Sequence, residues 1–256
     1  MNWTTFAAML RRDAHVARRN APMLIVQTML QPILFVFVFG QVMIRSGLMA
    51  PQYKAMLLPG IIAISMLMTG VQAVSMPLIM EFQFTREIED RLLAPIRIEW
   101  VAVEKIVAGM LQAIVSGLIV FPAAWAVLGT NVSISFDRLG VFIATLLLVA
   151  LLSAAGGLTL GVSVGQTQIG LVFSLIIAPM IMFGCAYYPW AALKTFPFVQ
   201  YAVLINPLVY ASEGLRGTLA PQVPHMPTAI VVAVLAALDA ALIFAGLNRF
   251  FKKAVS

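Results

Sequence analysis

The sequence predicts an all-α integral membrane protein with six transmembrane helices, and three observations support that fold class. First, 62% of the 256 residues are hydrophobic and only 10% charged, with a mean hydropathy of +0.99. Soluble domains carry about a quarter charged residues, so lipid must be most of this chain's solvent. Second, six apolar stretches recur, at 22–44, 56–79, 103–128, 139–163, 169–187 and 228–247. Each has the length that a helix needs to cross a bilayer core, about twenty residues. Third, Lys and Arg are unevenly shared between the segments that join them. If both termini lie inside, eleven of the 16 basic residues fall on the inner side and five (Arg45, Lys54, Arg138, Lys194, Arg216) outside. The positive-inside rule thus places both termini in the cytoplasm of a multi-pass membrane protein.

Residues 1–20 come first. Trp3, Phe6, Ala7, Leu10 and Ala14 recur at helical spacing, while Arg11, Arg12, His15 and Arg18 fall mostly elsewhere. That pattern reads as a basic amphipathic helix lying in the membrane interface. A solvated leader that merely obeys the positive-inside rule is the other reading. No signal-peptide cleavage site is recognised before the first span.

Between the second and third spans the apolar run breaks. The stretch "EFQFTREIEDRLLAPIRIEW", residues 81–100, holds five acids and three arginines. Thr85 is a candidate N-cap, and Glu87 complements the positive end of the helix dipole. Phe84, Ile88 and Leu92 recur every fourth residue as one apolar ridge, and Pro95 bars easy continuation. The prediction is a short amphipathic helix over 81–98. It either rests on headgroups or docks in a groove on another protein, and its acids fit anionic lipid poorly.

The fourth span carries Gly157 and Gly161, with Gly165 four residues on, a spacing that lets helices approach closely in lipid. The fifth contains Pro179, which is expected to kink it. Residues 188–227 are too apolar for an ordinary loop and too rich in proline for one span. Two short re-entrant or interfacial helices are expected there, the second started by Asn206 as cap and Pro207 as first residue. Such backbone is tolerated at membrane depth only against protein or a cavity. Within it Glu213 and Arg216 are three apart and can pair, either at an outer gate or as a structural pair.

Asp239 falls inside the sixth span, where an ionised carboxylate costs about 3 kcal/mol or more. A proton-coupling role and a structural or subunit-interface role are both open. Gln27, Gln31 and Gln72 are candidates to line a central interface with it. The chemistry of catalysis is not evident. The only histidines are His15 and His225, neither in a span, so no base is at hand for a serine nucleophile and no metal site is expected. The single cysteine, Cys185, excludes an intrachain disulfide. No basic run with interleaved aromatics suggests nucleic acid. No GxxxxGK[ST] loop occurs, so if ATP is used another chain must bring it.

Two stretches resemble a known family. "FTREIEDRLLAPIRIEWVAVEKI" is similar to the coupling region of ABC-2 type permeases. "INPLVYASEGLRGTL" at 205–219 resembles their Asn-Pro-x-x-Tyr-x-x-Glu-x-x-Arg pattern through Asn206, Pro207, Tyr210, Glu213 and Arg216. The daunorubicin-resistance and nodulation-factor export permeases are members of the family that the chain resembles in this way.

The resemblance implies the transmembrane subunit of a type V ATP-binding-cassette exporter in a bacterial inner membrane. Two separate ATPase subunits would bind ATP and Mg, and a second permease, identical or similar, would complete a dimer through spans two and five. Phe84, Glu87, Ile88, Glu89, Asp90, Arg91 and Leu92 would contact the ATPase. The cargo would be hydrophobic or amphipathic: a drug, a lipid or a lipid-linked saccharide. The alternative from another class is an ion-gradient-driven secondary transporter using Asp239. It predicts paired acids or an inverted repeat, and neither is found.

Overall fold

The computed structural model describes residues 6–13, 15, 30, 32–50, 53–82, 98–128 and 138–255. Every regular element among them is helical. Residues 6–13 are helical and are followed by α1 (Pro32–Arg45). Then come α2 (Tyr53–Met80), α3 (Ile98–Leu128) and α4 (Leu139–Ser163). A broken helix, α5, consists of Gln166–Val172, a π-turn Phe173–Ile177 and Ala178–Met182. Short pieces follow: a 3-10 turn Trp190–Thr195, α6 (Pro197–Ala202), a 3-10 turn Val203–Ile205 and α7 (Pro207–Leu219). The last helix is α8 (Thr228–Val255).

Four of these, α2, α3, α4 and α8, are long and apolar enough to cross a bilayer. A helix satisfies its own backbone, which is what hydrocarbon demands. The other two expected spans, 22–44 and 169–187, correspond to the shorter apolar helices Pro32–Arg45 and Thr167–Met182; most of the first half of 22–44 lies outside the described residues. The break in α5 has a local cause. Pro179 has no N–H to give to the preceding turn, and the wide turn Phe173–Ile177 stands just before it. α8 runs past the expected end at 247 to Val255, because Phe250 is fully buried and extends the packed face.

α2 is the central helix: 78% of its apolar window is buried, against 22% for α8. α3, α4 and α7 pack around it within the chain. Small residues make the close crossings. A Cβ on Gly157 would lie 2.7 Å from the Val71 carbonyl oxygen, and one on Gly161 3.0 Å from the Ser75 Cα. Gly165 lies past the end of α4 and precedes α5 as its N-cap. Along the contact with α3, Gly109 faces Val74 and Gly117 faces Met66, so α3 runs antiparallel to α2. Thr69 donates to Ser116 Oγ across that seam at 2.9 Å. Thr159 of α4 donates to the Leu242 carbonyl of α8 at 3.1 Å, and Gly246 packs on Leu158 and Thr159. α2, α4 and α8 therefore run parallel, and the bundle has two distinct ends.

Candidate functional site

At the end where α2 and α8 begin, α7 is buried from Leu208 to Leu219. Its start is set by sequence: Asn206 accepts from the Leu208 N–H at 3.0 Å, and Pro207 occupies the first turn, where a missing N–H costs nothing. The Asn206 amide also donates to the Met180 carbonyl at 2.7 Å, joining α7 to α5. Tyr210 donates to the Leu204 carbonyl at 2.9 Å.

One turn further on, Glu213 and Arg216 form an ion pair with neither side chain exposed to solvent. Their remaining bonds go to backbone. Arg216 Nη2 donates to the carbonyls of Cys185 at 2.7 Å and Ala186 at 3.3 Å. Glu213 Oε1 accepts from the Trp190 N–H at 2.9 Å, and Oε2 from the Met226 N–H at 2.8 Å. Two side chains thus tie together the turn after α5, the next 3-10 turn, α7 and the lead into α8. Burying such a pair is tolerable only when its hydrogen bonds are largely met. Burial draws Arg216 below its ordinary pKa, and the Glu213 carboxylate works against that shift.

The turn they grip is strained and tightly seated. Cys185 has φ +51°, a left-handed conformation that costs a non-glycine residue energy and persists only where neighbours impose it. Gly60 of α2 presses against it so closely that a Cβ would lie 1.9 Å from the Ala186 carbonyl oxygen. Tyr53 donates to the Tyr187 carbonyl at 2.6 Å. The Tyr187 ring stacks with Phe35 of α1 at 5.1 Å. The arrangement holds backbone in place.

The opposite end has a second polar centre. Lys105, near the start of α3, has a side chain only 3% exposed and lies 2.8 Å from both Asp13 and Glu81 carboxylates. Phe6 meets Trp100 edge-on at 6.0 Å, a further tie between residues 6–13 and α3. The end of α8 closes over α4: Arg249 donates to Ser163 Oγ at 2.6 Å and Lys253 to the Val162 carbonyl at 3.1 Å. Both cations stand at the negative end of the α4 dipole, and Lys253 also sits 4.8 Å from the Phe82 ring centre. The sequence reading missed Asp13, Glu81 and Lys105 as a cluster. The available signal was charge at 81 and 104–105 inside otherwise apolar helix ends.

The other singled-out residues are dispersed. Phe84, Glu87, Ile88, Glu89, Asp90, Arg91, Leu92, Gln27 and Gln31 lie outside the described residues. Gln72 is half-buried on α2. Asp239 is 2% exposed and shares a buried stripe of α8 with Val231, Leu235, Gly246 and Phe250. Neither of its oxygens has a hydrogen-bond partner among the described residues. α8 packs chiefly on α4, and α4 carries no ionisable residue. The face bearing Asp239 is thus packed within this chain. Among the described residues no group of three His, Cys, Asp or Glu is placed to hold a metal ion.

Comparisons with known proteins find relatives among membrane transport permeases. The inner membrane transport permease YadH of Escherichia coli K12 is 27% identical over 226 residues, covering 84% of this chain and 82% of that protein. The permease of the same name from Shigella flexneri matches to the same extent. The family model described as ABC-2 type transporter matches residues 4–220, taking in the buried pair at 213 and 216 and the lysine centre at 105. This chain belongs to the ABC-2 type transporter family.

Proposed function

We propose that this chain is the permease subunit of an ATP-binding-cassette exporter, forming the path for a hydrophobic or amphipathic cargo while separate subunits bind and hydrolyse ATP. The observation that carries the reading is family membership over a match that includes both the charged 81–98 segment and the Asn206–Arg216 motif. The name of the Escherichia coli relative, an inner membrane transport permease, supports an inner-membrane location. In this reading six spans cross the bilayer with both termini cytoplasmic. The lysine end faces the cytoplasm, and the buried Glu213–Arg216 pair lies toward the outside. Residues 81–98 dock on the ATPase through Phe84, Ile88 and Leu92, flanked by Glu87, Glu89, Asp90 and Arg91. Two permeases meet through spans two and five, that is α2 and α5, and on α5 Leu171, Leu175 and Met182 are exposed. ATP-driven closure of the partner subunits would then switch a central cavity between two packings. The glutamate–arginine clamp would move with its turn as one piece, as a gate element.

The test is co-purification in detergent with a co-expressed ATP-binding subunit, comparing wild type with Ile88→Asp combined with Arg91→Glu. Loss of the complex, with the variant still folded in membranes, supports 81–98 as the coupling element. Failure of any ATPase to accompany the wild type overturns the exporter reading.

A further inference from the structure

Three separate parts of the chain converge on Lys105. Glu81 closes α2, Lys105 lies in the opening turns of α3, and Asp13 ends the helical stretch 6–13. The Lys105–Glu81 contact at 2.8 Å spans 24 residues of sequence and the Lys105–Asp13 contact, also 2.8 Å, spans 92. Glu81 and Lys105 stand at the two stems of segment 83–97, so their contact closes the base of the charged stretch. Asp13 attaches the N-terminal helix to that same base, and the Phe6–Trp100 edge contact reinforces it.

The choice of lysine fits a three-way junction. An ammonium is a compact charge with three rotatable donors, whereas a guanidinium favours one planar, two-pronged partner. A buried ammonium between two carboxylates contributes little net stability relative to apolar packing, yet removing one member leaves uncompensated charge. Simple cohesion could be achieved more cheaply with aliphatic side chains. What the ionic arrangement adds is a fixed geometry among three segments.

We propose that Lys105 is a positioning residue for energy coupling: it locks both stems of segment 83–97 to residues 6–13, so that a push on that segment moves α2, α3 and the N-terminal helix together. The proposal rests on the reading of the chain as an ATPase-driven permease. Neither Lys105 nor Asp13 then needs to touch nucleotide or cargo. Their effect is on how far motion at 83–97 reaches.

The experiment uses the full permease–ATPase complex in lipid nanodiscs with a reporter cysteine at Ala8, an exposed position of the N-terminal stretch. The native Cys185 is buried. Maleimide labelling of the Ala8→Cys site is timed with and without ATP plus vanadate, in the parent, Lys105→Met, Lys105→Arg and Asp13→Asn backgrounds. The parent is expected to change its labelling rate about fivefold or more on trapping, the scale of an ordinary coupling free energy. Lys105→Met and Asp13→Asn should keep the ATPase bound but lose most of that response, and Lys105→Arg should restore part of it. A structural prop alone would lower yield without separating binding from response. If Lys105→Met assembles and responds like the parent, the proposal is overturned. If that variant does not fold, Asp13→Asn decides: a parental response overturns the proposal. A wild-type chain that binds no ATPase is a different outcome and removes the permease reading itself.

Discussion

Arg216 shows what a charge buried without solvent demands of its neighbours: one carboxylate from its own helix and two backbone carbonyls from the distant 185–186 turn. Arg216→Met should destabilise the protein by about 3–5 kcal/mol, because it strands the Glu213 carboxylate. Adding Glu213→Leu to it should recover part of that loss, since the partners are coupled and their costs do not add. Thermal unfolding of the detergent-solubilised protein, followed by size-exclusion fluorescence, checks both. A double variant worse than the sum of the singles would contradict the pairing. Asp239 is the contrasting case, a buried acid with no hydrogen-bond partner among the described residues. Asp239→Asn should leave yield and melting temperature unchanged, while Asp239→Lys should abolish recovery from membranes. Loss of transport in an otherwise intact Asp239→Asn protein would instead favour the ion-driven alternative. The Glu213–Arg216 pairing is legible in sequence, because three residues apart on a helix means one face. The backbone groups of 185, 186, 190 and 226 that complete it are not, since a carbonyl or amide carries no residue signature.

Elements were legible where the bilayer dictates them. An uninterrupted apolar run has only one way to satisfy its backbone in lipid, so α2, α3, α4 and α8 follow closely from composition. α5 was less legible: Pro179 announces a disturbance, but whether the helix kinks, widens or stops depends on what packs beside it. Here Gly184 lies against Leu208, and the chain turns after Met182. The Lys105 centre escaped because its members are far apart in sequence and periodicity names no partners. Helix crossings provide a graded test. Gly60→Ala drives a methyl into the Ala186 backbone at 1.9 Å, which no side-chain adjustment relieves, whereas a Cβ on Gly140 meets nothing within 4 Å. Gly60→Ala should therefore prevent folding in membranes. Gly140→Ala should be neutral or stabilising by about 0.5–1 kcal/mol, the usual gain from replacing a helical glycine. Equal yields for the two variants would mean that α2 and the 185–186 turn do not meet as described.

At the scale of the whole molecule, the charged groups among the described residues gather at the two ends, Asp239 excepted, and the middle is held by small residues, mainly apolar side chains and a few hydroxyl contacts. That distribution suits a body that tilts as a unit between states: its ends are fastened, and the seams between are smooth. The expectation is that strengthening the middle, not the ends, slows switching. Leu for Thr69, which removes the Thr69–Ser116 contact and adds apolar bulk to the α2–α3 seam, should reduce ATP turnover of the assembled complex more than its stability; unchanged turnover would argue that this seam stays rigid throughout the cycle. The single cysteine of the sequence has a practical consequence as well. Cys185 is wholly enclosed under the arginine clamp, so the natural chain already offers surface reagents a blank background. Spin labels or fluorophores introduced at one or two chosen positions can report distances across the membrane without first stripping a native thiol, and unwanted labelling at 185 would itself signal that the clamp has let go.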